Sequence, residues 1–179
     1  MSQNFNFEIK AYTSEHDSIR EFLISQKAVF RGVDHQIDTY FPVKHGRLKI
    51  REGNIENCIV HYDRKNESGP KLCKYKIIHF KPNAPVLRRL KEILIEAIGV
   101  LTVVDKKREI YFLRNTKFHL DTVKGLGKYF EIEVIDAKEI NESVFRKQCE
   151  KYLEELEIKS EQLMKGSYSD IILEIQQFT

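Results

Sequence analysis

In the opening stretch FNFEIKAY, the apolar Phe5, Phe7 and Ile9 alternate with Asn6, Glu8 and Lys10. A period of two predicts a β-strand with one apolar and one polar face. The alternation returns several times. In GRLKIRE, Arg47, Lys49 and Arg51 share one face and Leu48 and Ile50 the other. In KLCKYKII, Lys74 and Lys76 oppose Cys73, Tyr75 and Ile77. In FHLDTV, His119 and Asp121 oppose Phe118 and Leu120, and in FEIEV, Glu131 and Glu133 oppose Phe130, Ile132 and Val134. KKREIYF is less clean, because Lys106 and Arg108 oppose Lys107, Glu109 and Tyr111. VFRGVDHQIDTYF and NCIVHYD also read as extended chain, and Gly125 to Gly127 as a hairpin turn.

Helical spacing separates these runs. Ser14 heads a short segment with Ile19, Phe22 and Leu23 on one face, and is expected as its N-cap. Pro85 opens a helix in which Val86, Leu87, Leu90, Ile93, Leu94, Ala97 and Ile98 form a wide apolar stripe ended by Gly99. Asn141 caps a long helix carrying Val144, Phe145, Tyr152, Leu153 and Leu156, and a last helix starts near Ser167. RKNESGP, from Arg64 to Pro70, reads as a loop. The order predicts an α+β fold with about eight mostly antiparallel strands, able to close on themselves.

The 179 residues suit a single domain over positions 1–179. Charged residues make up 32%, above the quarter or so of an ordinary globular chain, yet the net charge is only +3. Such balance gives no argument for nucleic acid, nor do the absence of Trp and of aromatic residues among the basic strand positions. Cys58, Cys73 and Cys149 are scattered, which disfavours a disulfide framework or a zinc site and suits a reducing compartment. They are expected to be buried and inert. No run approaches a membrane span and the N-terminus is polar, so a cytoplasmic protein is expected.

Amphipathic helices must cover the apolar strand faces, which leaves the charged faces together on the other side. An open sheet would show them to water. A closed one would gather cations from the middle strands and acids from the first and last into one pore. That pore suits a polyphosphate: Lys and Arg bind phosphate oxygens, and carboxylates hold Mg²⁺ or Mn²⁺ against them.

Read in order, FNFEIKA, DTYF, GRLKIRE, KYKI, KKREIYF, HLDTVKGLGKYFEIEV and SYSDIIL resemble the CYTH superfamily of triphosphate tunnel metalloenzymes, within it the class IV adenylyl cyclase-like branch. The resemblance implies an eight-stranded antiparallel β-tunnel, a triphosphate substrate and Mg²⁺ or Mn²⁺. The family's ExExK falls on Asn6, Glu8 and Lys10, so Asn6 departs from it and is at most a weak, uncharged ligand. Glu8, Asp121, Glu131 and Glu133 are the implied metal ligands. Lys10, Lys49, Arg51, Lys76 and Arg108 are the implied phosphate-binding set, to which the charged strand faces add Lys74 and Lys106, with Glu8, Lys10 and Arg108 closest to catalysis.

The activity implied is conversion of ATP to cyclic AMP and pyrophosphate. Glu133 pulls toward the alternative, a triphosphatase acting on tripolyphosphate or an organic triphosphate. Asn6 motivates a second alternative, a non-catalytic polyphosphate or nucleotide binder. ATP or another triphosphate is the implied partner, with a homodimer left open and no membrane or nucleic acid. His119 is expected as a structural residue, with base binding or proton relay as the alternative. Tyr40 is expected in core or wall, Arg47 at a tunnel mouth or in solvent, and Tyr168 in packing or closing a mouth.

Overall fold

The computed structural model describes residues 4–135 and 141–177. In chain order the main elements are β1 (Asn4–Tyr12), α1 (His16–Ser25), β2 (Val29–Phe41), β3 (Arg47–Glu52), β4 (Cys58–Asp63) and β5 (Lys71–His79). There follow α2 (Pro85–Ile98), β6 (Thr102–Leu113), β7 (Thr116–Val123), β8 (Gly127–Ile135), α3 (Glu142–Glu155) and α4 (Tyr168–Gln177). The strands form one closed antiparallel barrel in the order β1-β5-β4-β3-β2-β6-β7-β8. Closure comes from β8 pairing with β1, where Glu8 faces Glu133 and Lys10 faces Glu131. The α+β tunnel read from the sequence is therefore the fold.

Local chemistry sets the boundaries. Gly125 and Gly127 take positive φ in the β7–β8 hairpin, a backbone region closed to most side chains. Asn141 caps α3 by accepting a hydrogen bond from the Val144 amide. Gly99, at φ 75°, ends α2. Ser14 does not cap α1: its hydroxyl donates to the Glu15 carboxylate, while Thr13 Oγ1 accepts from the Glu15 amide.

The principal core lies outside the barrel wall. Phe7, Ile9, Phe118, Leu120, Phe130, Ile132 and Val134 from β1, β7 and β8 pack against Ile19 and Leu23 of α1 and Phe145, Cys149, Tyr152 and Leu153 of α3. Each large apolar side chain so buried contributes about 1.5–3 kcal/mol. A smaller cluster places Leu87 of α2 on Phe41 and Ile50. The α2 stripe is only partly covered, with Ile93 61% and Ile98 41% exposed. Among the described residues no helix is long and apolar enough to cross a membrane.

One strand reverses the expected faces. Lys74 and Lys76 of β5 point outward and are exposed. They stand opposite Asp63 and His61 of β4, which are exposed too. Cys73, Tyr75 and Ile77 line the interior instead. The reason is local: Lys74, Lys76 and Ile78 stand on an exposed stretch of outer wall, where lysine is readily hydrated, so the strand turns its softer face inward. The lumen consequently contains an apolar cluster of its own, built on Tyr40, Cys58, Val60, Tyr62, Cys73 and Tyr168.

Candidate active site

Period-two alternation aims Asp34, Gln36, Asp38 and Tyr40 of β2 at the lumen side, next to Lys49 and Arg51 of β3 and Lys106 and Arg108 of β6. Asp38 is the hub. Its carboxylate accepts from Lys49 Nζ at 2.8 Å, Arg51 Nε and Nη2 at 2.7 and 2.9 Å, and Lys106 Nζ at 2.9 Å. Burial by itself would push the Asp38 carboxyl up, but Arg51, Lys106 and Lys49 hold it well below the usual carboxylate range. One anion thus fixes the heads of three cations. Lys106 bears the cost of burial most: desolvation, reinforced by Arg51 and Arg108, brings its pKa down to about 7 despite Asp38.

The loop after β3 adds an acid to the same wall. Asp34 accepts from the backbone amides of Ile55 and Glu56 at 2.8 and 2.9 Å. Gly53 permits this closure, because a Cβ there would stand 2.7 Å from Asp34 Oδ1. The loop so held aims Glu56 at Arg51 Nη1, 2.7 Å away.

Across the lumen lie the acids of β1 and β8. Glu131 lies 3.2 Å from Lys10 and 2.5 Å from Arg108. Glu8 meets Arg64 Nε at 2.9 Å. Burial raises the Glu8 pKa, and the nearby Glu131 and Glu133 carboxylates add to it against Arg64 and Lys10. Asn6 also lines the cavity, and its Oδ1 is buried without a hydrogen-bond partner. Glu131 and Glu133 sit beside His119, whose ring is 1% exposed.

Asp121 is linked to this acidic group through Arg108, whose Nη2 donates to both Asp121 and Glu131. Opposite Arg108 in the β6–β7 register, it takes that guanidinium in a two-pronged bond at 2.7 and 2.6 Å and accepts from the Tyr168 hydroxyl at 2.8 Å. In a low-dielectric interior that fork is the strongest partner available, so Asp121 orients Arg108 from the inner face of β7 that also carries His119. Tyr168, at the start of α4, lines the cavity with Lys10 4.2 Å above its ring. Arg47 ties α4 down through Asp170 at 2.8 Å.

The lumen thus brings together Asn6, Glu8, Lys10, Lys49, Arg51, Lys106, Arg108, Glu131 and Glu133, and leaves Lys74 and Lys76 outside. Sequence reading missed four groups there: Asp38, Glu56, Arg64 and Lys117. Arg64 continues the inward series Cys58, Val60, Tyr62, and Lys117 precedes His119 at the same spacing, so alternation alone could have found both. Asp38 lies on the alternating series Asp34, Gln36, Asp38, Tyr40, but its role rests on partners from other strands, and Glu56, on the loop after β3, left no such signal.

The cavity holds a volume of about 190 Å³ and opens to solvent. One wall is cationic, a second acidic, and a third, from β4 and β5, apolar and aromatic. The acids offer oxygen donors of the kind a hard divalent cation takes. The repulsion felt by Glu8 and the orphaned Asn6 oxygen fit such a group.

Searching curated proteins gave no match. Solved structures gave several. A Pyrococcus horikoshii protein superposes with a TM-score of 0.74 at 24% identity, covering 92% of this chain and 98% of its own. A candidate adenylate cyclase from Vibrio parahaemolyticus gives 0.75 at 15% identity, covering 94% and 98%. A candidate adenylyl cyclase from Hippeastrum, described as having a dominant triphosphatase activity, gives 0.63 at 15% identity, covering 97% and 96%. At these identities the likeness speaks for the fold. The CYTH domain family model matches residues 4–168. With nearly the whole barrel inside that match, the chain belongs to the CYTH domain family.

Proposed function

We propose that this protein is a metal-dependent enzyme that attacks phosphorus in an organic triphosphate held inside the tunnel, ATP being the leading candidate. The observation that carries the reading is the convergence of Lys10, Lys49, Arg51, Lys106 and Arg108 with Glu8, Glu131 and Glu133 on one enclosed lumen. Buried cations fixed by Asp38 and Asp121 need no reorganisation when an anion arrives, and their remaining N–H groups are free to bind phosphate oxygens. Glu8, Glu131 and Glu133 would hold Mg²⁺ or Mn²⁺, which when bound neutralises phosphate charge and orients the chain. Holding the phosphates in line is most of what such a reaction requires.

The apolar wall of Val60, Tyr62, Tyr75 and Ile77 supports an organic group beside the phosphates, since bare tripolyphosphate has no use for it. With ATP so seated, attack of the ribose 3′-oxygen on the α-phosphorus releases pyrophosphate and forms cyclic AMP. A second reading, hydrolysis of the terminal phosphate, is favoured by Glu133. Its carboxylate reaches the lumen near His119 and is suited to accept a proton from attacking water.

Incubating the protein with ATP or tripolyphosphate and each metal, then separating products, tests both. Cyclic AMP supports cyclisation, and phosphate release alone supports hydrolysis. Glu131→Gln is expected to abolish either. Tight tripolyphosphate binding with no product under any metal would make this a binding protein, and neither binding nor turnover would end the proposal.

A further inference from the structure

His119 is 1% exposed, and neither of its ring nitrogens has a hydrogen-bond partner. That is costly, because an imidazole stripped of water and given no partner loses the hydration it had in the unfolded chain. Buried histidines ordinarily anchor one nitrogen, as His16 does through Nε2 to the Tyr129 carbonyl at 2.9 Å. His119 instead turns Nδ1 toward two carboxylates without reaching either: 3.6 Å to Glu131 Oε2 and 3.9 Å to Glu133 Oε1. One ligand atom from each of the three residues falls within 4.8 Å of the others.

These separations have a simple meaning. Two donors on one first-row divalent ion, each about 2.1 Å from it, stand about 3 Å apart when adjacent and about 4.2 Å when opposite. The gaps around His119 are near that range and too wide for direct hydrogen bonds. β7 and β8 build the arrangement, since His119 faces Glu131 in their register and Lys117 faces Glu133. On the far side, Glu8 faces Glu133 across β1. At position 6, β1 offers only the uncharged Asn6.

We propose that His119, Glu131 and Glu133 form a mixed nitrogen–oxygen metal site, in which imidazole Nδ1 supplies a ligand that the strand β1 set lacks. The inference rests on the triphosphate-enzyme reading only in locating the metal in the tunnel. Its consequence is selectivity. Mg²⁺ prefers oxygen donors alone, whereas an imidazole strengthens binding along the series from Mn²⁺ to Co²⁺, Ni²⁺ and Zn²⁺. This chain should therefore discriminate against Mg²⁺ and for the later metals.

The test uses the full chain without a histidine tag. Mn²⁺ is titrated in and followed by electron paramagnetic resonance, with pulsed detection of nitrogen coupling. Co²⁺ affinity is then compared between wild type and His119→Gln by calorimetry. A directly bound imidazole nitrogen should appear in the wild-type Mn²⁺ spectrum, and Co²⁺ affinity should fall at least tenfold in the variant, with Mg²⁺ affinity nearly unchanged. Glu133→Gln should weaken the metal but keep the nitrogen coupling, which leaves the proposal testable if His119→Gln fails to fold. Metal bound in the tunnel without nitrogen coupling would overturn this inference and leave the triphosphate reading standing. Failure to bind any divalent ion, with or without tripolyphosphate, would overturn both.

Discussion

Replacing Asp38 by Asn keeps the shape of the hub and removes its charge. Lys49, Arg51 and Lys106 then converge on a neutral amide, and Asp38 itself is 1% exposed, so water cannot make up the loss. Removing one partner of a buried ion pair costs about 3–5 kcal/mol, because the other charge stays buried and unpaired. Three cations share this partner, although Glu56 still serves Arg51, so the loss should fall within that range. At roughly 2–4 °C per kcal/mol for a chain of this size, Tm should drop by about 6–20 °C.

Tripolyphosphate should reverse part of the loss, since it returns negative charge to the same three heads. Its stabilising increment at equal concentration should exceed that in wild type. The gap between the two proteins also depends on pH. The native Asp38 pKa is depressed, so its contribution is complete above the ordinary carboxylate pKa near 3.9 and is lost as pH falls through the native value. Urea unfolding at pH 7 and pH 3, with and without tripolyphosphate, reads all of this. A variant less than about 1 kcal/mol weaker at pH 7 would refute the view of Asp38 as the organiser of the cationic wall.

Lys106, brought down to about 7, takes fewer protons in the folded than in the unfolded chain between that value and the ordinary lysine pKa near 10.4. Its burial penalty therefore fades, and stability from this residue rises, as pH climbs through that window. A nearby triphosphate favours the ammonium, so binding at pH 8 should take up a proton; calorimetry in two buffers of different ionisation heat measures it, and Lys106→Met should abolish it. Lys74→Ala and Lys76→Ala should leave tripolyphosphate affinity within about twofold, because both side chains point outward, whereas Arg64→Ala should weaken it at least about tenfold by leaving Glu8 unpaired. Equal losses at all three positions would contradict the observed strand faces. Tyr168→Phe removes the hydroxyl bonded to Asp121 and should lower the urea-derived stability by about 1.5–3 kcal/mol with an unchanged slope.

Much of this molecule is written locally in the chain. Strand alternation and helix spacing are properties of near neighbours, so the order of elements, the Asn141 cap and the β7–β8 hairpin could be read from the residues alone. So could the inward placement of Glu8, Lys10, Lys49, Arg51 and Glu131, because each stands next to apolar residues that a helix covers or a neighbouring strand packs, whereas Arg108 stands between Lys107 and Glu109 and had no such signal. On β5 that condition failed, and the reading failed with it: the outer wall stays exposed, period two has no absolute direction, and Lys74 and Lys76 turned out to water. What remained beyond the sequence was partnership between elements: Asp38 serving two strands, Asp121 claimed by Arg108 and Tyr168, and His119 left facing Glu131 and Glu133. Those relations depend on which strands become neighbours and in what register, β2 beside β6 above all, and only the folded chain decides them.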